Sequence, residues 1–97
     1  MLPKHRSPTH PGEILQVDFL TPMGLTQTAL AAHLKWPHAK INELIKGKRG
    51  VTPAVALALA DAFGTNAEMW MNLQANYDLW QAQQKHEKKT RLTKAAS

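Results

Sequence analysis

At 97 residues the chain is sized for one domain, and 43% apolar residues give it the makeup of a folded globule. It contains no cysteine, which excludes disulfides and thiolate metal sites and makes a reducing cytosol the natural setting. A net charge of +5 and an isoelectric point of about 9.8 direct attention to polyanionic partners, nucleic acid above all.

The opening MLPKHRSPTHPG has no apolar stretch of the kind a signal peptide needs. No run approaches the roughly 20 apolar residues that span a bilayer, so no membrane partner is expected. Residues 1–10, with Pro3 and Pro8 around Lys4, His5 and Arg6, read as a flexible basic tail. His10-Pro11-Gly12-Glu13 then opens a helix, with the proline in its first turn and Glu13 at the positive end of the dipole. Ile14, Leu15, Val17, Phe19 and Leu20 supply its apolar surface, and Thr21-Pro22-Met23-Gly24 is expected to end it.

Thr26 is placed to cap a second helix from Gln27 to about Leu34. Pro37 holds Trp36 extended and starts a third, from Pro37 or His38 to about Lys46, closed by Gly47 at its C′ position. Thr52-Pro53 is a cap followed by a first-turn proline, opening an alanine- and leucine-rich helix that Gly64 stops. Thr65-Asn66-Ala67-Glu68 has capping-box spacing, so the last helix is expected from about Asn66 to Gln84. Along it Trp70, Leu73, Tyr77 and Trp80 form one apolar stripe, with Met69 at its margin, for packing on the bundle. Met71 and Leu79 fall outside the stripe and are candidates for contact with a second copy. No segment alternates with period two.

The two short helices at 27–46 carry the functional argument. Two helices joined by a tight turn make a helix-turn-helix, and this geometry needs a small residue where the helices approach. Ala31 stands there, followed by Ile41 ten residues on and Leu44 three further. Leu30, Leu34 and Ile45 join them in the interior, with Trp36 covering the junction. The turn often carries glycine. Here Lys35 occupies it, and a positive φ would cost a lysine on the order of 1 kcal/mol. Burying Ile41, Leu44 and Ile45 turns His38, Ala39, Lys40, Asn42 and Glu43 toward solvent.

The first turns of the second helix are those that meet base edges in the major groove. Lys40 can donate to guanine, Asn42 can pair with adenine, and His38 can donate or accept. Ala39 suits a thymine methyl. Gln27, at the start of the preceding helix, can reach a base or a phosphate, and Thr28 beside it a phosphate. Lys46, Lys48 and Arg49 follow the recognition helix and suit the phosphate backbone. Two roles are open to Glu43: accepting from cytosine, or pairing with Lys40 or Lys46 one turn away.

HPGEIL, LTQTALA, INELIKGKRGVTPAVALALADAFGT and EMWMNLQANYDLWQA together resemble the HigA family of bacterial antitoxins, also known as virulence-associated protein I. The likeness covers about residues 10–84. It departs from the family in the Lys35-Trp36-Pro37 turn and in the set His38, Ala39, Lys40, Asn42, which concerns operator sequence. The resemblance implies a homodimer that binds double-stranded operator DNA in its own promoter. It also implies neutralisation of a cognate RelE-like toxin, an endoribonuclease acting on messenger RNA.

The expected fold is all-α: a five-helix bundle with a central helix-turn-helix, a lambda repressor-like DNA-binding domain over residues 11–84. Lys85, Lys88, Lys89, Arg91 and Lys94 belong to a basic C-terminal tail, 85–97. The five histidines, His5, His10, His33, His38 and His86, lack metal-ligand spacing and the carboxylates are scattered, so no metal, cofactor or catalytic residue is expected. Gly47-Lys48-Arg49-Gly50 lacks phosphate-loop spacing. The expected setting is the bacterial cytoplasm, on the nucleoid when bound to the operator. The competing functions are a stand-alone regulator without a toxin and a protein-binding module that no longer contacts DNA.

Overall fold

A computed structural model describes residues 8–92. The expectations placed on Lys4, His5, Arg6 and Lys94 lie outside the described residues. The described chain is all-α, five helices with no strand. We number them α1 (11–23), α2 (Gln27–Leu34), α3 (His38–Ile45), α4 (Pro53–Phe63) and α5 (Ala67–Lys85).

His10, read both as the last residue of the tail and as the opening of the first helix, is part of the fold. Its Nδ1 accepts the Gly12 N–H at 2.9 Å, capping α1, and it is 9% exposed. Its ring meets Tyr77 of α5 edge-on, with centroids 4.8 Å apart. Pro11 and Gly12 are buried with it. A methyl on Gly12 would overlap the Leu44 carbonyl and stand 2.9 Å from Ile45 Cα. The missing side chain lets the first turn of α1 lie backbone to backbone on α3.

Thr21 and Pro22 do not end α1 as expected. The helix widens to π geometry over Leu15–Leu20, and the Thr21 N–H reaches back five residues to the Gln16 carbonyl. A proline at 22 has no N–H, and in a regular helix its ring would collide with the carbonyl four residues back. The wider turn before it makes room, and the helix continues to Met23. Gly24, at φ 66°, then closes it, with the Leu25 N–H on the Leu20 carbonyl at 2.9 Å.

Threonine caps open α2 and α4 as the sequence suggests: Thr26 accepts from Ala29 N–H at 3.0 Å and Thr52 from Val55 N–H at 3.3 Å. The start of α5 differs by one residue. Asn66 is the cap, accepting from Met69 N–H at 2.7 Å, because the Thr65 hydroxyl accepts from the Trp70 indole N–H at 2.8 Å. Trp70 is fully buried, and a buried indole N–H requires an acceptor.

The core joins Leu15 and Leu20 of α1, Leu30 and Ala31 of α2, Ile41 and Leu44 of α3, Val55, Ala56 and Leu59 of α4, Val51 before it, and Trp70. Phe19 bridges α1 to Phe63 and Trp70, with ring centroids 5.0 and 5.3 Å apart. Gln74 is a buried polar side chain that the apolar stripe does not announce. Its Oε1 accepts from Val51 N–H at 2.7 Å and its Nε2 donates to Asp78 at 2.8 Å, tying the 46–52 loop to α5. Leu73 and Met69 pack on the core as expected of the stripe. No helix among the described residues is long and apolar enough to cross a membrane.

Two outcomes follow from α1. Gly12→Ala is expected to cost about 3 kcal/mol or more, read as a lower midpoint in urea, since backbone rather than a rotatable side chain blocks the methyl. The second concerns pH. Burial holds the His10 pKa below its ordinary value, against the opposing pull of Asp78. The fold therefore favours neutral imidazole, and the unfolded chain takes up the proton first. His10's share of stability is complete above pH 6.5, the ordinary value, and declines as pH falls toward the lowered folded value. His10→Asn, which offers a capping oxygen in place of Nδ1 and does not titrate, should lose less Tm than the native chain between pH 7.5 and 5.5.

Candidate nucleic-acid interface

The geometry of the helix-turn-helix begins at Lys35. It adopts φ 59°, ψ 39°, the left-handed region that favours glycine. Two hydrogen bonds hold it there: Lys35 N–H to the Ala32 carbonyl at 3.2 Å and Trp36 N–H to the Ala31 carbonyl at 2.9 Å. Together they form a Schellman closure, with lysine where glycine is usual. Pro37 then sets the entry into α3. Leu30, Ala31, Ile41 and Leu44 are buried at the helix junction, and Leu34, Trp36 and Ile45 pack partly buried against them.

This packing leaves His38 and Ala39 exposed and Lys40 and Asn42 half-buried on the outer side of α3. Three side chains on this side are held by neighbours that helical spacing does not reveal. Asn42 Nδ2 donates to Gln27 Oε1 at 3.1 Å, so the first turn of α2 and the middle of α3 are joined by facing amides. Lys40 Nζ stands 4.0 Å from the centre of the Trp36 ring. Arg49 donates through Nε at 3.2 Å and Nη2 at 2.9 Å to Glu43 Oε1. Glu43 thus pairs with neither Lys40 nor Lys46, although such a pair is one of the two roles left open for it. The chain reverses at Gly47, φ 75°, where the Lys48 N–H closes on the Glu43 carbonyl at 2.9 Å, and this brings Arg49 back over Glu43.

Thr28, Lys46 and Lys48 are exposed. The pair Arg49–Glu43 is itself about half exposed, at 46% and 44%, so its ionic worth is at most about 1 kcal/mol. Gln27 is thus joined to Asn42, Lys40 to Trp36 and Arg49 to Glu43, while His38, Ala39, Lys46 and Lys48 stand exposed. The two apolar residues set aside for a second copy lie elsewhere, on α5. Met71 packs partly buried against the molecule's own core, whereas Leu79 is 58% exposed. Among the described residues no three His, Asp or Glu side chains gather as a metal site would require.

A helix-turn-helix domain family matches residues 4–69. Virulence-associated protein I of Dichelobacter nodosus is 47% identical over 75 residues, covering 77% of this chain and 69% of its own length. Antitoxin HigA-1 of Vibrio cholerae serotype O1 is 39% identical over 90 residues, covering 92% of this chain and 84% of its own. The chain belongs to the HigA family. Among solved structures, the antitoxin GraA in complex with its operator superposes with a TM-score of 0.82 at 35% identity, over 96% of this chain and 99% of that one. The HigA resemblance drawn from four sequence segments is thereby shown across nearly the whole chain.

The strained turn yields an expected outcome. Lys35→Gly relieves about 1–2 kcal/mol of left-handed strain and returns about 0.5–1 kcal/mol through unfolded-chain entropy. Thermal melting should show a Tm higher by roughly 2–6 °C. A lower Tm would mean that the lysine makes an offsetting contact.

Proposed function

We propose that the protein is a sequence-specific DNA-binding antitoxin of a type II toxin–antitoxin system. In this reading it acts as a homodimer on an operator in its own promoter. It also neutralises a cognate RelE-like toxin that cuts messenger RNA. It works in the bacterial cytoplasm, on the nucleoid while bound to the operator.

The observation that supports the reading is the Gln27–Asn42 pair joining the two helices of the helix-turn-helix, with Lys40 restrained by Trp36 and exposed Lys46, Lys48 and Arg49 following α3 in the chain. Amide and ammonium groups that are already oriented suit base edges, and the cations after α3 suit phosphates. GraA, similar over almost the full chain, was solved with its operator. Gln27 Oε1 and one Asn42 N–H are engaged with each other. That leaves Asn42 Oδ1 and the Gln27 amide protons to face a base. The two residues then read as one unit rather than Asn42 alone against adenine.

Binding to a duplex from upstream of the protein's own gene tests the DNA half. Lys40→Ala or Asn42→Ala should weaken it by about 1–3 kcal/mol, with little effect on a random duplex. Arg49→Ala should weaken both and flatten the slope of log affinity against log salt. Unchanged affinity in the first two variants would remove their base-reading roles. Co-purification with the product of the adjacent gene tests the antitoxin half. If no partner is retained while operator binding persists, the protein is a regulator without a toxin.

A further inference from the structure

We propose that Trp36 is a positioning residue for Lys40, and that it sets the specificity of DNA reading from the turn without touching a base. The inference rests on the base-reading role of Lys40 given above and adds the group that aims it.

Lys40 lies in the first turn of α3, with its N–H on the Pro37 carbonyl at 3.0 Å. A cation is unfavourable there, since the first turn is the positive end of the helix dipole. The turn contains no acidic residue to offset it. Glu43, three residues further along α3, is engaged by Arg49, the ion pair found among the described residues. Local electrostatics therefore supplies no carboxylate to hold Lys40. What holds it is the face of the Trp36 ring, 4.0 Å from Nζ.

Trp36 is well suited to this task. Its N–H is fixed to the Ala31 carbonyl, and Pro37 follows it, so its backbone has little freedom. Its ring is half-buried against the core. A ring fixed on two sides restrains a lysine that would otherwise sample many rotamers. It confines the ammonium to the turn side of α3. A lysine so restrained gives up little further conformational entropy when it meets a guanine edge, and it is withheld from the nearest phosphate. The contact thus converts an indiscriminate point charge into an aimed donor.

The test uses the full chain and four proteins: native, Trp36→Leu, Lys40→Ala and the double variant. Each is titrated against the duplex from upstream of its own gene and against a random duplex. Thermal melting confirms that each is folded. Trp36→Phe, which retains an aromatic face of smaller area, covers the case in which Trp36→Leu does not fold. The expected result is a loss of roughly two- to fivefold on the upstream duplex for Trp36→Leu, with little change on the random one. No further loss is expected when Lys40 is already alanine, and Trp36→Phe should fall between native and Trp36→Leu. In the native protein, proton resonances of the Lys40 ε-methylene should be shifted upfield by the ring, and Trp36→Leu should abolish the shift.

Independent, additive losses in the double variant would overturn the proposal and leave Trp36 with a packing role only. So would an unshifted ε-methylene in the native protein. A native protein that binds both duplexes alike would instead overturn the DNA reading itself, and the proposal with it.

Discussion

One close contact governs the arrangement of this molecule: the side-chain-free backbone of Gly12 against the backbone of Leu44 and Ile45. An eight-residue helix such as α3 is not stable alone, so its direction is set by what packs on it. Ala31 admits it on one side, where Ile41 and Leu44 enter the core. The first turn of α1 supports it on another. His10 extends that support, lying beside Gly47 at the end of α3 and edge-on to Tyr77 of α5. The outer side of α3 is what remains uncovered once these contacts are made.

Polar side chains complete the frame where the apolar core is thin. Gln74 links α5 to Val51, in the loop that carries Lys48 and Arg49. Thr65 receives the Trp70 indole and so allows a large ring at the centre of the bundle. A domain of this size has few core residues, and satisfied buried polar groups add position as well as stability. No buried side-chain nitrogen or oxygen among the described residues lacks a partner.

The elements that could be read from the sequence are those whose causes are local. Thr26, Thr52, Gly47 and Gly64 act within four residues of themselves, and the helices begin and end near them. The Ala31–Ile41–Leu44 spacing indicated which side of α3 is buried. What could not be read depends on partners far along the chain. His10 needs Tyr77, Gln74 needs Val51, and Gln27 needs Asn42 fifteen residues away. The Glu43–Arg49 pair was missed for a different reason: helical spacing does not apply across the reversal at Gly47. Thr65 looked like a cap because a capping box is a local pattern, and the demand of Trp70 from within the fold overrode it. The His10 cap on Gly12 is local, but the close approach of Gly12 appears only once α3 lies beside it.

The carboxylate of Glu43 has a consequence for how a polyanion would be met. Total charge overstates the attraction of this surface, because one acid sits among its cations and offsets Arg49. At physiological ionic strength the attraction fades over about 8 Å, so little of it acts at a distance. Any anion that approaches Arg49 competes with Glu43 for the same guanidinium, so the pair lowers the charge this part of the surface presents.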